Sequence, residues 1–337
     1  MIPATGHGTT VPTEVWQIDP AAPDLATVRR AAVVLRGGGL VAFPTETVYG
    51  LGANALDESA VRKVFAAKGR PPTNPLIVHV ADAGQVEAVA AGWPTAAAAL
   101  AAAFWPGPLT VVVPRRADVP AAVTGGGPAV AVRCPAHPVA AALIREAGVP
   151  VAAPSANRST ELSPTRAGHV LKGLAGRIDA VLDGGPCPAG IESTVVDVTG
   201  GGVRVLRPGP VTVPMLEAVV GRVAGPAGPT DERKPMPSPG MMAKHYSPRT
   251  PVRLLAGVGI GEMVREASAA GIRVGTILFG GDPAAGLPDS PREYAAAIYD
   301  RLHTLDAAGL DLILVQLPPD TPEWAAVRDR LTRAAAP

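Results

Sequence analysis

Short apolar runs rich in β-branched residues alternate with helical patterns from residue 24 onward. Asp24 precedes a segment whose apolar positions recur every three or four residues and which Gly37 ends, as in a capped helix. Asp57, Pro138 and Ser163 are predicted to begin further helices. Strands are predicted at 40–43, 76–80, 109–113, 129–133, 150–153, 180–182, 193–198 and 203–206. The alternation predicts an α/β domain with a large, mixed, twisted sheet and flanking helices.

A second α/β pattern follows a stretch that has no period. Residues 222–242 are rich in Pro, Gly and charge, which is typical of a linker or an ordered loop. Beyond them, strands are predicted at 252–255, 274–279 and 312–317, and helices at 260–270, 291–308 and 322–335. Ser290 to Glu293 has the pattern of a capping box. We predict a main domain at 20–215, a linker at 216–250 and a small, parallel, Rossmann-like C-terminal α/β domain at 251–337.

Composition limits the classes of protein that fit this pattern. Hydrophobic residues make up 47% of the chain, yet no apolar run approaches the roughly 20 residues that cross a bilayer. Residues 1–17 lack the features of a signal peptide, so we expect a cytoplasmic protein without a membrane span. The net charge of +1 gives no reason to expect stable nucleic-acid binding. Cys134 and Cys187 lie far apart and are predicted to be buried thiols.

The segment 43–52 leaves a predicted strand and carries several polar side chains. Thr45, Glu46, Thr47 and Tyr49 share one turn with two glycines. Loops at strand ends are where α/β folds bind ligands. A turn whose hydroxyls satisfy local backbone groups is the alternative, but the density of polar groups favours a site.

The segment 68–79 combines two cations with a loop stiffened by prolines. Lys68 offers a point charge and Arg70 a planar, bidentate fork, which together suit a polyphosphate. Lys68 alone is explained by the dipole of the helix that it ends, but the dipole explains neither Arg70 nor the rigid prolines. His79 taken alone is typical of a satisfied core histidine.

The segment 154–165 follows a strand and precedes a helix, where anions often bind. Ordinary helix capping explains Ser163 but not Ser155 or Asn157. Arg133, Ser193 and Arg207 mark the ends of neighbouring predicted strands.

The C-terminal unit carries a signal for a different function. Gly257, Gly259 and Gly261 follow a strand and Asp282 comes one strand later, which imitates a dinucleotide fingerprint. The pattern requires a glycine where Glu262 stands. Close packing between a strand and a helix is a sufficient reason for these glycines.

Several motifs in one order resemble a known family. FPTETVYGLG, KGRPPTNPLIVHV, FWPGPLTVVV, AVRCP, APSANRS, ESTVVDV and RPG resemble the YrdC-like family. PSPGMMAKHYSP before a small α/β unit resembles the long, two-domain form of its threonylcarbamoyl-AMP synthases. The resemblance runs from about Leu25 to the C-terminus.

The resemblance implies a reaction and its partners. L-threonine, bicarbonate or CO2, and ATP would give threonylcarbamoyl-adenylate and pyrophosphate. Downstream tRNA threonylcarbamoyl-transferase machinery would use the product to modify the adenosine beside the anticodon. Mg2+ would accompany ATP and be held mainly by substrate, with no protein side chain assigned to it.

The resemblance also implies roles for residues. Lys68 and Arg70 would be catalytic. L-threonine would contact Thr47, His79, Arg133, Ser155 and Ser193. The nucleotide would contact Lys68, Arg70, Asn74, Asn157, Ser163 or Thr165, Arg207 and Tyr246. The linker at 216–250 would fold over the active site as a lid that includes His245.

Two related functions are alternatives. An RNA-binding module would need a basic surface, which the near-neutral charge does not favour. A carbamoyl-adenylating maturation factor would carry zinc-binding modules, which two cysteines cannot build.

Overall fold

The computed structural model describes residues 12–225, 236, 238–240, 245–256, 259–280 and 286–336. Part of the predicted linker, as well as Gly257 and Asp282, therefore lies outside the described residues. The strands are β1 (Glu14–Gln17), β2 (Val41–Phe43), β3 (Gly50–Asn54), β4 (Ile77–His79), β5 (Leu109–Pro114), β6 (Ala129–Arg133), β7 (Val151–Ala152), β8 (Ala180–Asp183), β9 (Thr194–Asp197), β10 (Val203–Arg207), β11 (Val223–Ala224), β12 (Val252–Leu255), β13 (Val274–Phe279), β14 (Gly286–Leu287) and β15 (Leu312–Gln316). The helices are α1 (Leu25–Arg36), α2 (Glu58–Lys68), α3 (Thr95–Phe104), α4 (Pro138–Ala147), α5 (Ala167–Leu174), α6 (Val213–Val220), α7 (Ile260–Ala269), α8 (Pro291–Ala307) and α9 (Ala325–Ala334).

The first 11 strands form one sheet in the order β1-β8-β2-β3-β7-β4-β6-β5-β9-β10-β11. Parallel pairs such as β4 with β6 alternate with antiparallel pairs such as β5 with β6. The prediction of a large, mixed sheet is confirmed. We call residues 12–224, which end with β11, the N-terminal part.

Both faces of this sheet are covered by helices. Ala42 packs in a cluster with residues of α2, α3 and α5, whereas Val41 and Phe43 pack in another with residues of α1 and α4. Neighbouring residues of a strand point to opposite faces, so β2 contributes to both clusters. The predicted apolar positions Val28, Ala32 and Leu35 of α1 are buried in the second cluster, whereas Leu25 at the start of that helix is exposed.

The remaining four strands form a separate parallel sheet in the order β12-β15-β13-β14. We call residues 252–336 the C-terminal part. The predicted small, parallel α/β unit is confirmed, with α7 beginning one residue after Gly259, its N-cap. Ser290 precedes α8 but its side chain makes no capping hydrogen bond, so the predicted capping box is wrong.

Helix starts in the N-terminal part agree with the sequence at three of four positions. Asp24 and Asp57 accept backbone hydrogen bonds at the starts of α1 and α2, and Pro138 is the first residue of α4. The helix predicted to begin at Ser163 begins instead at Ala167. The Ser163 hydroxyl donates to a distant carboxylate, so it is not available as a helix cap.

The segment 43–52 is also more ordered than predicted. Its second half is β3, which pairs antiparallel with β2 so that Phe43 lies opposite Gly50. The polar residues between them therefore occupy the turn of a hairpin. Such a turn is held at both ends by the sheet, so its side chains have fixed directions.

The two parts share an apolar cluster. Val48 and Ile191 of the N-terminal part lie in it with Tyr299 and Val327 of the C-terminal part. Gly190 has a φ of 70°, and a Cβ there would collide with the backbone at 295–296 in α8. Only glycine allows this close approach without strain. The C-terminal part is thus seated directly on loops of the large sheet.

Candidate active site

A cavity lies at one edge of the large sheet, where Pro239, Gly240, His245 and Tyr246 face it. It encloses about 490 Å³, including space continuous with solvent. Eight of the residues predicted from the sequence line it: Thr47, Arg70, His79, Arg133, Ser155, Ser193, Arg207 and Tyr246. Five others lie outside this lining: Lys68, Asn74, Asn157, Ser163 and Thr165.

Three adjacent strands present side chains to this cavity or its wall. His79 on β4 lies opposite Arg133 on β6, and Arg133 lies opposite Thr110 on β5. Directly opposite residues share a face of the sheet. The Thr110 hydroxyl oxygen lies 2.8 Å from the hydroxyl oxygen of Ser193, which precedes β9. The sheet thus gathers an imidazole, a guanidinium and two hydroxyls.

The hairpin turn between β2 and β3 forms the adjoining wall. The Thr45 hydroxyl donates to the Val48 carbonyl at 2.7 Å and accepts from the Thr47 amide at 3.1 Å. Its oxygen also lies 2.8 Å from the Thr47 hydroxyl oxygen. These bonds fold the turn locally, as expected for hydroxyl residues, and they fix the Thr47 side chain at the cavity.

Glu46 on the same turn forms an ion pair with Arg133. Its Oε1 lies 2.7 Å from Nη2 of Arg133, with side chains 13% and 4% exposed. The pair does not have hydrogen-bond geometry. Nε of Arg133 donates to the Gly107 carbonyl at 3.4 Å. A buried guanidinium requires such compensation because an unpaired charge is costly away from water.

Arg207 closes another side of the cavity. It donates from Nε to the Ser193 carbonyl at 3.1 Å and from Nη2 to the Ser193 hydroxyl at 3.2 Å. Gly209 follows two residues later, where a Cβ would collide with the backbone at 192–194. The glycine of the RPG motif therefore allows Arg207 to lie against Ser193.

Arg70 is positioned by the loop that follows α2. Helix α2 ends at Gly69, which has a φ of 64° that favours glycine. Arg70 then donates to the Asn74 carbonyl at 3.0 Å, to the Asn74 side-chain oxygen at 2.6 Å and to the Pro75 carbonyl at 2.7 Å. Asn74 thus lies behind Arg70 and holds it at the cavity.

Lys68 is almost fully buried and does not face the cavity. Its ammonium donates to the Ser155 carbonyl at 2.6 Å and to the Asn157 carbonyl. Burial, followed by the charge of Arg70, holds the pKa of Lys68 well below its usual value. In this structure Lys68 fixes the loop that carries Ser155, and its contact with phosphate stays a prediction.

The other residues of segment 154–165 are engaged elsewhere. The Asn157 amide donates at 2.8 Å to the carbonyls of Arg158 and Glu161. The Thr165 hydroxyl lies 3.4 Å from Nδ1 of His169, and the Ser163 hydroxyl donates to Glu192. The choice between Ser163 and Thr165 as a nucleotide contact therefore stays open.

His245 and Tyr246 approach the cavity from the chain that links the two parts. Tyr246 has a φ of 59°, a conformation that costs energy for a tyrosine. Its hydroxyl accepts from Arg207 at 3.4 Å. Gly240 lies so close that a Cβ would collide with this hydroxyl. The ring centroids of His245 and Tyr246 are 4.0 Å apart, and the two rings cover one side of the cavity.

Glu192 and Arg330 complete this side, and sequence reasoning missed both. Nε of Arg330 donates to Glu192 at 2.6 Å, and Tyr299 donates to the same carboxylate at 3.2 Å. The Arg330 guanidinium lies 5.1 Å from the ring centre of Tyr246, within the range of a cation–π contact. Glu192 is the first residue of the ESTVVDV motif, and this motif was the sequence signal that could have identified it. Its partner Arg330 lies far away in the sequence, in α9.

The cavity wall holds many cations and neutral imidazoles. Burial and the charge of Arg133 lower the pKa of His79 to about 3. Burial and the nearby cations, Arg70 first among them, hold the pKa of His245 well below its usual value. Burial lowers the pKa of Arg70 to about 9, which leaves it protonated at neutral pH. The site therefore presents positive charge and uncharged rings to an anionic ligand.

Burial alone would raise the pKa of Glu192, but Arg330 and then Arg207 hold it below its usual value. The carboxylate is therefore ionised and compensated. Among the described residues, no group of three or more His, Cys, Asp or Glu side chains has the arrangement of a metal site. No helix in the described part of the chain is both long and apolar enough to cross a membrane.

The fold and this cavity define a two-part α/β protein whose buried cations suit an anionic small molecule. The Sua5/YciO/YrdC family model, with the description Telomere recombination, matches residues 33–209. The model for the C-terminal domain of threonylcarbamoyl-AMP synthase matches residues 211–336. The chain belongs to the Sua5/YciO/YrdC family and carries the C-terminal domain of its threonylcarbamoyl-AMP synthases.

Individual relatives agree over nearly the whole length. Threonylcarbamoyl-AMP synthase of Bacillus subtilis is 41% identical over 96% of this chain and 98% of its own. The enzyme of that name from Pyrococcus abyssi is 42% identical over 91% and 94%. The crystal structure of P. abyssi Sua5 complexed with L-threonine matches with a TM-score of 0.91 and 40% identity, over 96% of this chain and 98% of that one.

Proposed function

We propose that this chain is an L-threonylcarbamoyladenylate synthase. It converts L-threonine, bicarbonate or CO2, and ATP to threonylcarbamoyl-AMP and pyrophosphate. The observation that carries the proposal is the meeting of amino-acid-binding and phosphate-binding groups in one cavity, among them Thr47, Arg133, Arg70 and Arg207. The near-complete match to a relative that binds L-threonine supports it.

The amino acid occupies the side of the cavity formed by the sheet and the hairpin turn. Arg133 binds its carboxylate, because a guanidinium is the preferred partner of a buried carboxylate. The hydroxyls of Thr47 and Ser193 recognise its side chain. His79 is uncharged at neutral pH, so it contacts the substrate without adding repulsion toward the ammonium group. Ser155 borders the same space.

The nucleotide occupies the side formed by Arg70, Arg207 and Tyr246. The two guanidinium groups bind phosphate oxygens and stabilise the charge that develops on them. Asn74 acts through Arg70, whose direction it fixes. Lys68, Asn157 and either Ser163 or Thr165 complete the nucleotide site when the loop at 154–165 adjusts to ATP.

The chemistry requires no protein nucleophile. The threonine amine reacts with CO2 to form a carbamate and releases a proton. The carbamate oxygen then attacks the α-phosphorus of ATP, and the bond to the leaving pyrophosphate breaks. The protein contributes by holding the reacting groups in line and by stabilising negative charge, with Lys68 and Arg70 as the catalytic cations.

Mg2+ accompanies ATP in this proposal. The carboxylates nearest the cavity, Glu46 and Glu192, are each paired with an arginine, so they do not form a metal site. The ion would therefore be held mainly by the substrate. We assign no protein ligand and no catalytic step to it.

The division of the chain follows from the same proposal. Residues 20–215 form the catalytic domain, 216–250 the linker that closes over the site with His245 and Tyr246, and 251–337 the Rossmann-like domain that supports it. The enzyme acts in the cytoplasm and supplies threonylcarbamoyl-AMP to the machinery that modifies tRNA. It does not bind nucleic acid stably.

A pyrophosphate-release assay with single omissions tests the reaction. We expect turnover with ATP, L-threonine and bicarbonate together, and none when any one is left out. Mass spectrometry identifies the adenylate product. Turnover without threonine, or with carbamoyl phosphate in place of threonine and bicarbonate, would contradict the proposal. Tight, salt-sensitive tRNA binding without pyrophosphate release would favour an RNA-binding role instead.

A further inference from the structure

Glu46 lies behind Arg133 as seen from the cavity. Arg133 is part of the cavity lining, whereas Glu46 lines a different space, a cleft between the two parts of the chain of about 1190 Å³ including space open to solvent. The 2.7 Å ion pair between them therefore stands in the wall that separates the two spaces. Glu46 does not need to touch a ligand in the cavity to influence it.

Glu46 and Arg133 interact through their charges and not through a directed hydrogen bond. Neither carboxylate oxygen of Glu46 makes a hydrogen bond with a described residue, and Nη2 of Arg133 makes none either. The direction of the guanidinium is set by the strand β6 that carries it and by its bond to the Gly107 carbonyl. What Glu46 supplies is a nearby negative charge at low exposure, where charges interact strongly.

A ligand carboxylate that binds Arg133 from the cavity would lie close to the Glu46 carboxylate, with the Arg133 guanidinium between them. The two carboxylates then repel each other, so Glu46 weakens the hold of Arg133 on the ligand. Without Glu46, Arg133 would be a buried cation without its counter-charge, and a ligand carboxylate would relieve that cost on binding.

We propose that Glu46 acts through Arg133, by its charge, to set the affinity of the Arg133 site for carboxylates. This inference rests on the proposed function for the identity of its amino-acid ligand. It keeps the substrate and the product, which both carry the threonine carboxylate, from binding too tightly to be released. Tighter ground-state binding lowers KM without raising kcat. A lower affinity of Arg133 for carboxylates therefore favours turnover.

Isothermal titration calorimetry on the full-length Glu46→Gln variant tests this inference. We expect its Kd for L-threonine and for acetate to fall about tenfold relative to the wild type. The Kd for L-threoninamide, which lacks the carboxylate, should stay within about twofold. In turnover, KM for threonine should fall while kcat does not rise and KM for ATP stays constant. A purely structural role for Glu46 would not separate the acid from the amide.

Three controls make the result decisive. Glu46→Asp keeps the charge and should bind like the wild type. Glu58→Gln removes an exposed carboxylate on α2 that pairs with Arg62 and should change nothing. The gain of Glu46→Gln should vanish when it is combined with Arg133→Leu, because the effect passes through that guanidinium. Circular dichroism establishes that each variant is folded.

Two outcomes would overturn the inference: unchanged or weaker carboxylate binding by folded Glu46→Gln, or an equal gain for L-threoninamide. Failure of the proposed function is distinguishable, since it would appear as a wild type that binds no L-threonine. The acetate comparison would still decide the role of Glu46 in that case.

Discussion

The two walls of the cavity hold their buried cations by different means. In the wall that includes the loop after α2, Arg70 at the lining and Lys68 behind it donate to backbone carbonyls of the same part of the chain. In the second wall, Arg330 of α9 lies behind Tyr246, outside the cavity lining, and pairs with the Glu192 side chain of the N-terminal part. The first wall is complete within one part, and the second exists only when the two parts are joined.

This difference separates local from long-range determinants of the site. A carbonyl is present whatever the residue type, so the first wall depends mainly on the course of the backbone. The second wall depends on the identity of two ionised side chains, and removing either one leaves a buried charge unpaired. The two walls should therefore respond differently to substitution.

Arg330→Ala should have the largest effect on stability. It leaves Glu192 buried beside Tyr299 and Arg207 without its main counter-charge, which costs about 3–5 kcal/mol. Urea denaturation should show this loss, with the C-terminal part separating first in limited proteolysis. Arg273→Ala removes an exposed ion pair with Asp311 and serves as the control, with an expected loss of at most about 1 kcal/mol. Equal losses in the two variants would refute the role of this pair as the link between the walls.

Lys68→Met should have a smaller effect, because two carbonyls lose their donor but the loop remains covered. We expect a loss of about 2 kcal/mol in the free energy of unfolding. The same variant also tests whether Lys68 takes part in catalysis. If turnover falls while stability is unchanged, Lys68 acts on the nucleotide and its carbonyl contacts are dispensable.

Arg70→Ala should leave the fold intact and reduce pyrophosphate release more than tenfold, equivalent to over about 1.4 kcal/mol of transition-state stabilisation. The guanidinium is held at the cavity by Asn74 and Pro75, so its removal takes a fixed positive charge from the site. Arg62→Ala on the exposed face of α2 is the matched control. Unchanged turnover in Arg70→Ala would remove Arg70 from the catalytic groups.

The elements that sequence predicted well are those determined by adjacent residues. Asp24 and Asp57 cap their helices because each acts on amides two or three residues away. Strand β6 was predicted with its observed bounds, since its apolar run ends at Arg133. Strand β3 was missed because its two glycines are typical of a turn, and its pairing with β2 and β7 overrides that preference.

The site shows the same division. Arg70, Arg133 and Arg207 stand at or just after the ends of predicted elements, but their place in one site was implied by the family resemblance and not by the pattern alone. Arg330 is separated from Glu192 by 138 positions and carries no local signal in the helix pattern. Ser163 had the pattern of a helix cap, but its hydroxyl binds this same Glu192. Long-range pairing of side chains is what the sequence pattern does not contain.

The close approach of Gly190 to α8 limits which C-terminal parts can be joined to this N-terminal part. A hybrid chain that took its C-terminal part from a distant relative would have to keep a glycine at 190 and the same path of α8 at 295–296. Recombination at the linker would otherwise join two well-folded halves that cannot come into contact. Exchange of either half therefore has to preserve the contact between residue 190 and α8.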